Sequence, residues 1–203
     1  MLSAAGSWRR RAAPGFTLIE MAVGLAIMGL LVAVTVPSAI EWVKNLQVRS
    51  ATESLRAGLE RARLDALKNN RAVSFWLIAD DAAVPGSGCA VSATGHHWVI
   101  SVKDPAGKCN EDVASKDPLL AARSEAVSGL AQVKVAAVDA DDEDASRVIF
   151  NTLGQVANAD AISRITIKPT SGTARELQIR VESGGAIRSC DPKVSSSDPR
   201  ACP

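Results

Sequence analysis

The chain has 203 residues, of which 47% are hydrophobic and only 3% aromatic, with no tyrosine. That length holds one ordinary domain and an appendage; the apolar fraction excludes a disordered chain, and the scarcity of rings excludes a platform for stacking bases. The formal charge of +1 becomes −2 once Arg9, Arg10 and Arg11 are set aside with residues 1–15, so the body of the chain is not a polybasic binder by bulk electrostatics.

The first element is an apolar run. From Leu18 to Val36 the only polar side chains are Glu20 and Thr35. At about 1.5 Å per residue this predicts a helix of about 28 Å, close to the ~30 Å hydrocarbon core of a bilayer. A cleavable secretory signal has a shorter apolar region, and a twin-arginine signal would not interpose Ala12-Ala13-Pro14 before the run. Basic residues ahead of the run and none directly behind it place the leader in the cytoplasm and the remainder across the membrane. Glu20 is the anomaly. An ionised carboxylate in hydrocarbon costs several kcal/mol, so it either snorkels to the interface or has a partner.

The stretch Gly15-Phe16-Thr17-Leu18-Ile19-Glu20, behind a basic leader and ahead of an apolar helix, resembles the processing site of the type IV pilin superfamily. The resemblance implies that prepilin peptidase cuts between Gly15 and Phe16 on the cytoplasmic side, and that Phe16 is then N-methylated. It also supplies the partner for Glu20. Cleavage creates a positive amine on Phe16, and Glu20 of a neighbouring subunit neutralises it, so that two buried costs become one paired contact. Pro37 falls where such pilins commonly carry a helix-bending proline.

Beyond Ser38 the pattern stays helical and turns amphipathic. Val48, Ala51, Leu55, Leu59, Ala62 and Ala66 recur at spacings of three and four, which marks a core-facing stripe. Arg56 with Glu60, and Glu60 with Arg63, are spaced for surface ion pairs. Asn69-Asn70 is a stop signal, so one helix runs from Phe16 to about Lys68. The period then changes to two. Val73, Phe75 and Leu77 predict a strand, as do Trp98, Ile100 and Val102. Further strands are expected at Val133 and Val135, at Val148-Ile149-Phe150, at Ile165-Thr166-Ile167 and at Leu177 to Val181. Turns are expected at Asn151 to Gly154, at Pro169 to Gly172 and at Ser183-Gly184-Gly185. Leu119 to Leu130 reads either as a short helix or as strand plus loop. Helix first and strands later gives an α+β fold, a long N-terminal helix packed on a C-terminal antiparallel sheet.

Cys89, Cys109, Cys190 and Cys202 all lie beyond the apolar run, and none forms a C-x-x-C pair. An even number on the far side of a membrane segment reads as two disulfides in an oxidising compartment. Of the three possible pairings, Cys89–Cys109 with Cys190–Cys202 closes the shortest loops. The expected organisation is a prepilin leader at 1–15, a membrane-spanning and filament-core helix at 16–38, and a periplasmic domain at 39–203. Within that domain, an amphipathic helix occupies 39–69, the sheet 72–190 and a stapled tail 190–203.

The stretches "LERARLDALKNNRAVSFWL", "FNTLGQV" and "IRVESGGAIRSCDP" are similar to those of GspH/FimT-like pseudopilins and minor pilins. This resemblance implies a low-abundance, non-catalytic subunit that initiates or tips a type IV pilus, working with prepilin peptidase, with other major and minor pilins or pseudopilins, and with the inner membrane. A type II secretion pseudopilin of the GspH type shares the same chemistry. Some FimT-like relatives bind DNA through a glycine-arginine-any-arginine turn. Here Gly185 and Arg188 match it and Ala186 does not, which makes Arg180, Arg188 and Lys193 the candidate DNA contacts. The competing class is a single-span-anchored periplasmic binding domain.

Enzyme chemistry finds little to build on. His96 and His97 are adjacent and, as strand neighbours, would point to opposite faces rather than share a metal. Phosphate-loop, Rossmann and nucleophile-elbow patterns do not occur. The acidic run Asp139 to Asp144 lacks the spacing of an EF-hand. No catalytic residue, metal or cofactor is expected.

Overall fold

The computed structural model describes residues 15–113, 116–126, 132–172 and 175–202, and it leaves the side chains of Val34, Thr35, Pro37 and Ser38 undescribed. Residues 1–14 of the leader and the last part of the ambiguous stretch Leu119–Leu130 lie outside the described residues. The chain divides into two compact units, Met1–Ile40 and Glu41–Pro203.

Helix α1 covers Leu18–Asn69. It starts at a reciprocal cap. The Thr17 hydroxyl accepts from the Glu20 amide at 3.3 Å, while the Glu20 carboxylate accepts from the Thr17 amide at 3.2 Å and from its hydroxyl at 3.1 Å. Two orphan donors of the first turn are thereby satisfied. It stops where the sequence predicts. Asn70 adopts a left-handed φ of 47°, and the Arg71 amide reaches back to the Ala66 carbonyl at 3.3 Å, which is the closing bond of a Schellman cap.

In the first unit the helix is apolar all round and uncovered. Leu18, Ile19, Leu25, Met28, Leu30 and Leu31 are exposed, and so is Phe16 just ahead of them. Among the described residues no helix is long and apolar enough to cross a membrane; the uninterrupted stretch of described side chains ends at Ala33. The backbone remains helical through Pro37, whose side chain lies outside the description.

The second unit is built around the other half of α1. All six stripe residues, Val48 through Ala66, are fully buried against strands of two antiparallel sheets that share one core. The first sheet contains β1 (Val73–Ala79), β2 (Ala90–Val91), β3 (His97–Ser101), β4 (Leu120–Arg123) and β6 (Arg147–Phe150), in the order β2-β1-β3-β4 with β6 also on β1. The second contains β5 (Val133–Val138), β7 (Arg164–Pro169), β8 (Leu177–Val181) and β9 (Ile187–Cys190), in the order β5-β7-β8-β9. The single sheet expected from the sequence is therefore two.

Alternation explains which side chains reach the helix. Val73, Phe75 and Leu77 of β1 join the main core, whereas Trp76 and Ile78 form a second cluster with Val99, Leu120, Cys89 and Cys109. Both faces of β1 are thus buried, because the loop closed by Cys89–Cys109 covers the side that α1 does not. Gly58 sets how closely the helix approaches the first sheet. A Cβ there would fall 2.7 Å from the Trp98 ring and 2.9 Å from that of Phe75, and Trp98 is held in place by donating from Nε1 to Ser54 Oγ at 3.1 Å.

Arg56 pairs with Glu60 at 2.9 Å as expected. Arg63 instead reaches the turn after β6, at Asn151–Gly154, where its Nε donates to the Gly154 carbonyl at 3.0 Å. Gly154 closes the Asn151 turn at a φ of 70°, and Gly185 sits against it at a φ of 81°, so close that a Cβ would fall 1.9 Å from the Gly154 oxygen. The Val156 amide donates to the Ser183 carbonyl at 3.0 Å and completes the junction. One point therefore ties the helix end, the turn after β6 and the turn after β8.

Candidate assembly site and basic sheet face

The N-terminal site consists of Phe16, Thr17 and Glu20. Phe16 is 83% exposed, with nothing near the α-carbon of Gly15 that a side chain would meet. Gly15 and Phe16 lie outside regular secondary structure, immediately ahead of the capped helix. In this single chain the Glu20 carboxylate serves its own first turn. That is the favourable end of the helix dipole for an acid.

The cysteines form two bonds, Cys89–Cys109 and Cys190–Cys202, with α-carbons 6.2 and 4.9 Å apart. The second holds the tail, where Asp191 also bridges in parallel to Ala201. Asp191 anchors this corner. Its carboxylate, 5% exposed, accepts from Arg175 Nε at 2.5 Å and from the Lys193 amide at 2.9 Å. Burial works against ionisation, but the Lys193 amide and the Arg175 guanidinium outweigh it and hold the carboxyl below its ordinary range. At the tail's far end three hydrogen bonds from Arg200, two through its guanidinium and one through its amide, lower the half-buried Asp198 to about 2.

The candidate DNA contacts do not all meet. Arg180 in β8 lies directly opposite Arg188 in β9, while Lys193 is on the tail and faces Glu176 at 3.9 Å. The partner missing from the sequence reading is Arg164, directly opposite Arg180 in β7. Its charge was visible in the sequence, but its register was not. Gly185 answers to packing against Gly154 and to its left-handed φ, which explains it without reference to a ligand.

The histidines depart from the expected arrangement. His96 precedes β3 rather than belonging to it, and the two rings lie 4.6 Å apart. His97 is 2% exposed, and its Nδ1 is 3.2 Å from Ser124 Oγ. Burial, reinforced by repulsion from His96, lowers its pKa below 6.5. In the acidic run, Asp139 Oδ1 accepts from the amides of Asp141 and Glu143 at 2.9 and 3.0 Å, and Asp142 pairs with Arg164. Among the described residues no group of three or more His, Cys, Asp or Glu side chains is placed to hold a metal ion.

A long N-terminal helix laid on antiparallel sheets, opened by a glycine-phenylalanine site and a lone carboxylate, defines a subunit of the type IV pilin superfamily. The chain belongs to the family of the type II transport protein GspH, whose family model matches residues 51–185. The prokaryotic N-terminal methylation motif matches residues 10–36. Two crystal structures of the type IV minor pilin FimU from Pseudomonas aeruginosa are similar to it. The one in space group P21 is 17% identical, covers 79% of this chain and 98% of its own, and has a TM-score of 0.48. The one in space group P65 is 18% identical, covers 76% and 98%, and has a TM-score of 0.43. No curated protein matches the chain.

Proposed function

We propose that the chain is a non-catalytic minor pilin of a type IV pilus, cut between Gly15 and Phe16 by prepilin peptidase, N-methylated on Phe16, and anchored in the bacterial inner membrane with residues 39–203 in the periplasm until it assembles. The observation that carries this reading is the first unit. An all-round apolar helix is left uncovered, and it bears one carboxylate in its first turn. A helix of that kind is stable only in lipid or against other helices. Glu20 then pairs across subunits with the Phe16 amine, so that correct register is the one in which neither charge stays buried alone. The helix as far as Pro37 packs in the filament core, and the two-sheet domain faces outward.

Mass spectrometry of protein purified from membranes tests this. The expected N-terminus is N-methylated Phe16. An intact leader carrying Arg9 to Arg11 would leave a single-span-anchored periplasmic domain as the reading. The family match to a type II transport protein favours a second system, a secretion pseudopilus, with the same processing chemistry. Deleting the gene separates the two: loss of pili supports the minor pilin, and loss of protein export supports the pseudopilin.

A further inference from the structure

The first turns of α1 within the second unit carry apolar side chains that their own domain leaves uncovered. Trp42 is 64% exposed, and Val43 and Leu46 are 44% exposed each. The buried stripe begins only at Val48, so the core does not require them. A spacing of i, i+4 and i+7 puts Trp42, Leu46 and Arg49 on one side of the helix. Together they line a groove of about 450 Å³, with Arg175 and Leu177 also in its lining. Arg175 is engaged by Asp191. Arg49 is exposed and makes no ion pair or hydrogen bond among the described residues.

The sequence supplies what covers this face. Residues 21–40, between Glu20 and Glu41, carry no charge. At about 1.5 Å per residue that stretch rises about 30 Å, the thickness of the hydrocarbon core of a bilayer. With the stretch in lipid, Glu41 meets the boundary of the core. Trp42, Leu46 and Arg49 follow Ile40 by about 3, 9 and 13.5 Å of helical rise. Helical side chains lean back toward the N-terminus by about one turn, which here is toward the membrane. The headgroup layer is about 5–7 Å deep on each side, so the indole and the leucine lean into it and the long Arg49 side chain reaches its outer edge. An indole ring suits that level because it is apolar with one polar N–H, and a guanidinium fork matches a headgroup phosphate. Glu53, a further turn along the same side, is beyond the reach of that layer. A neighbouring subunit would explain the exposed side chains but not their distance from the uncharged stretch; the lipid boundary explains both.

We propose that Trp42, Leu46 and Arg49 form an interfacial foot that engages the periplasmic leaflet before assembly, with the ring and the leucine at the glycerol level and Arg49 on the headgroups of anionic lipid. This rests on the reading of the N-terminal helix as a membrane anchor.

The test is tryptophan quenching in the full-length chain, reconstituted in phosphatidylcholine vesicles with or without phosphatidylglycerol. Trp42 is the reporter. Trp8→Phe removes the tryptophan of the leader, Trp76 and Trp98 are buried, and Trp42→Phe measures their background. Lipids brominated near the top of the acyl chain should quench Trp42 about twofold more than lipids brominated near its end, as for a ring held at the interface. Leu64→Trp in the Trp42→Phe background places a reporter at another exposed position of α1, far from the uncharged stretch, and should show no lipid quenching. Phosphatidylglycerol should raise the ratio of docked to lifted foot about fivefold, and Arg49→Gln should remove that gain. Flotation of the same vesicles shows whether the chain is inserted. A chain that does not float overturns the anchor reading and this proposal with it. A chain that floats while Trp42 is quenched no more than the Trp42→Phe background overturns the proposal alone. It is also overturned if Leu64→Trp is quenched as strongly, if Arg49→Gln leaves the response to phosphatidylglycerol unchanged, or if Trp42 gains protection from aqueous acrylamide only as protein is crowded, which would give the face to a neighbouring copy.

Discussion

Replacing Gly58 with alanine in the middle of a helix ordinarily stabilises, by up to about 1 kcal/mol. Here the sign reverses. The added methyl would sit 2.7 and 2.8 Å from two atoms of the Trp98 ring and 2.9 Å from the Phe75 ring. Neither ring can step aside. Phe75 is fully buried and Trp98 nearly so, the two rings stack with centroids 6.3 Å apart, and the Trp98 indole is tethered to Ser54. Overpacking costs about 1–3 kcal/mol, and contact below 3 Å with three atoms of two fixed rings puts this site in the upper part of that range, at about 2–3, which leaves a net loss of about 1–2 kcal/mol after the helical gain. For a domain of this size that lowers Tm by about 2–8 °C. Thermal unfolding followed by near-ultraviolet dichroism, which reports the packed tryptophans, measures the shift. The double variant Gly58→Ala/Trp98→Leu removes the obstacle, so in that background the alanine should be neutral or stabilising. A Gly58→Ala protein as stable as the parent would refute the close approach of helix and sheet at this point.

Three further outcomes follow from other parts of the molecule. Glu20→Gln keeps a side chain able to complete the reciprocal cap with Thr17 but cannot neutralise an amine. Helix content and leader cleavage should persist while incorporation into filaments, scored by immunoblot of sheared fractions, is lost; normal incorporation would exclude the charge pairing. Replacing Cys190 and Cys202 with serine opens a loop whose ends are 12 residues apart, and urea unfolding should show a loss of about 3 kcal/mol, with no further effect of reductant at that bond. Stability should also depend on pH through His97. Its folded pKa lies below the ordinary 6.5, so the folded state binds fewer protons than the unfolded one. The contribution is complete above about pH 6.5 and is lost as pH falls through that window. A lower Tm at pH 5.5 than at 7.5, with the slope reduced in His97→Gln, is the expected result, and an unchanged slope in that variant would remove His97 from the account. The carboxyls of Asp80 and Asp191, both held low, add a separate loss only below about pH 3.8.

What could be read beforehand divides along the range of the interactions. The core stripe of α1 and its stop at Asn69-Asn70 were legible, because a helix is periodic in its own residues and its cap is local. Strand positions were legible for the same reason at β1, β3, β5, β7 and β8. Three things were not. Strand β2 has two residues, Ala90 and Val91, too few for any period. Burial of Trp76 and Ile78 on the far side of β1 depends on a loop folded over it by Cys89–Cys109, a contact between distant residues. The separation into two sheets, and with it the alignment of Arg164 beside Arg180 and Arg188, is a matter of register, which no single strand encodes. The same limit applies at Arg63, which the helical spacing assigned to Glu60 and the fold assigns to the Gly154 carbonyl.

The junction of Arg63, Gly154 and Gly185 has a mechanical consequence. Backbone there meets backbone without an intervening side chain that could rotate out of the way, and a cation from the helix clamps the seam. Neither sheet can slide over the other unless this spot opens first. A tug on the outer edge of the domain is therefore delivered to the end of the rod beneath it rather than absorbed by shear between the layers, so the domain bears load as a single block.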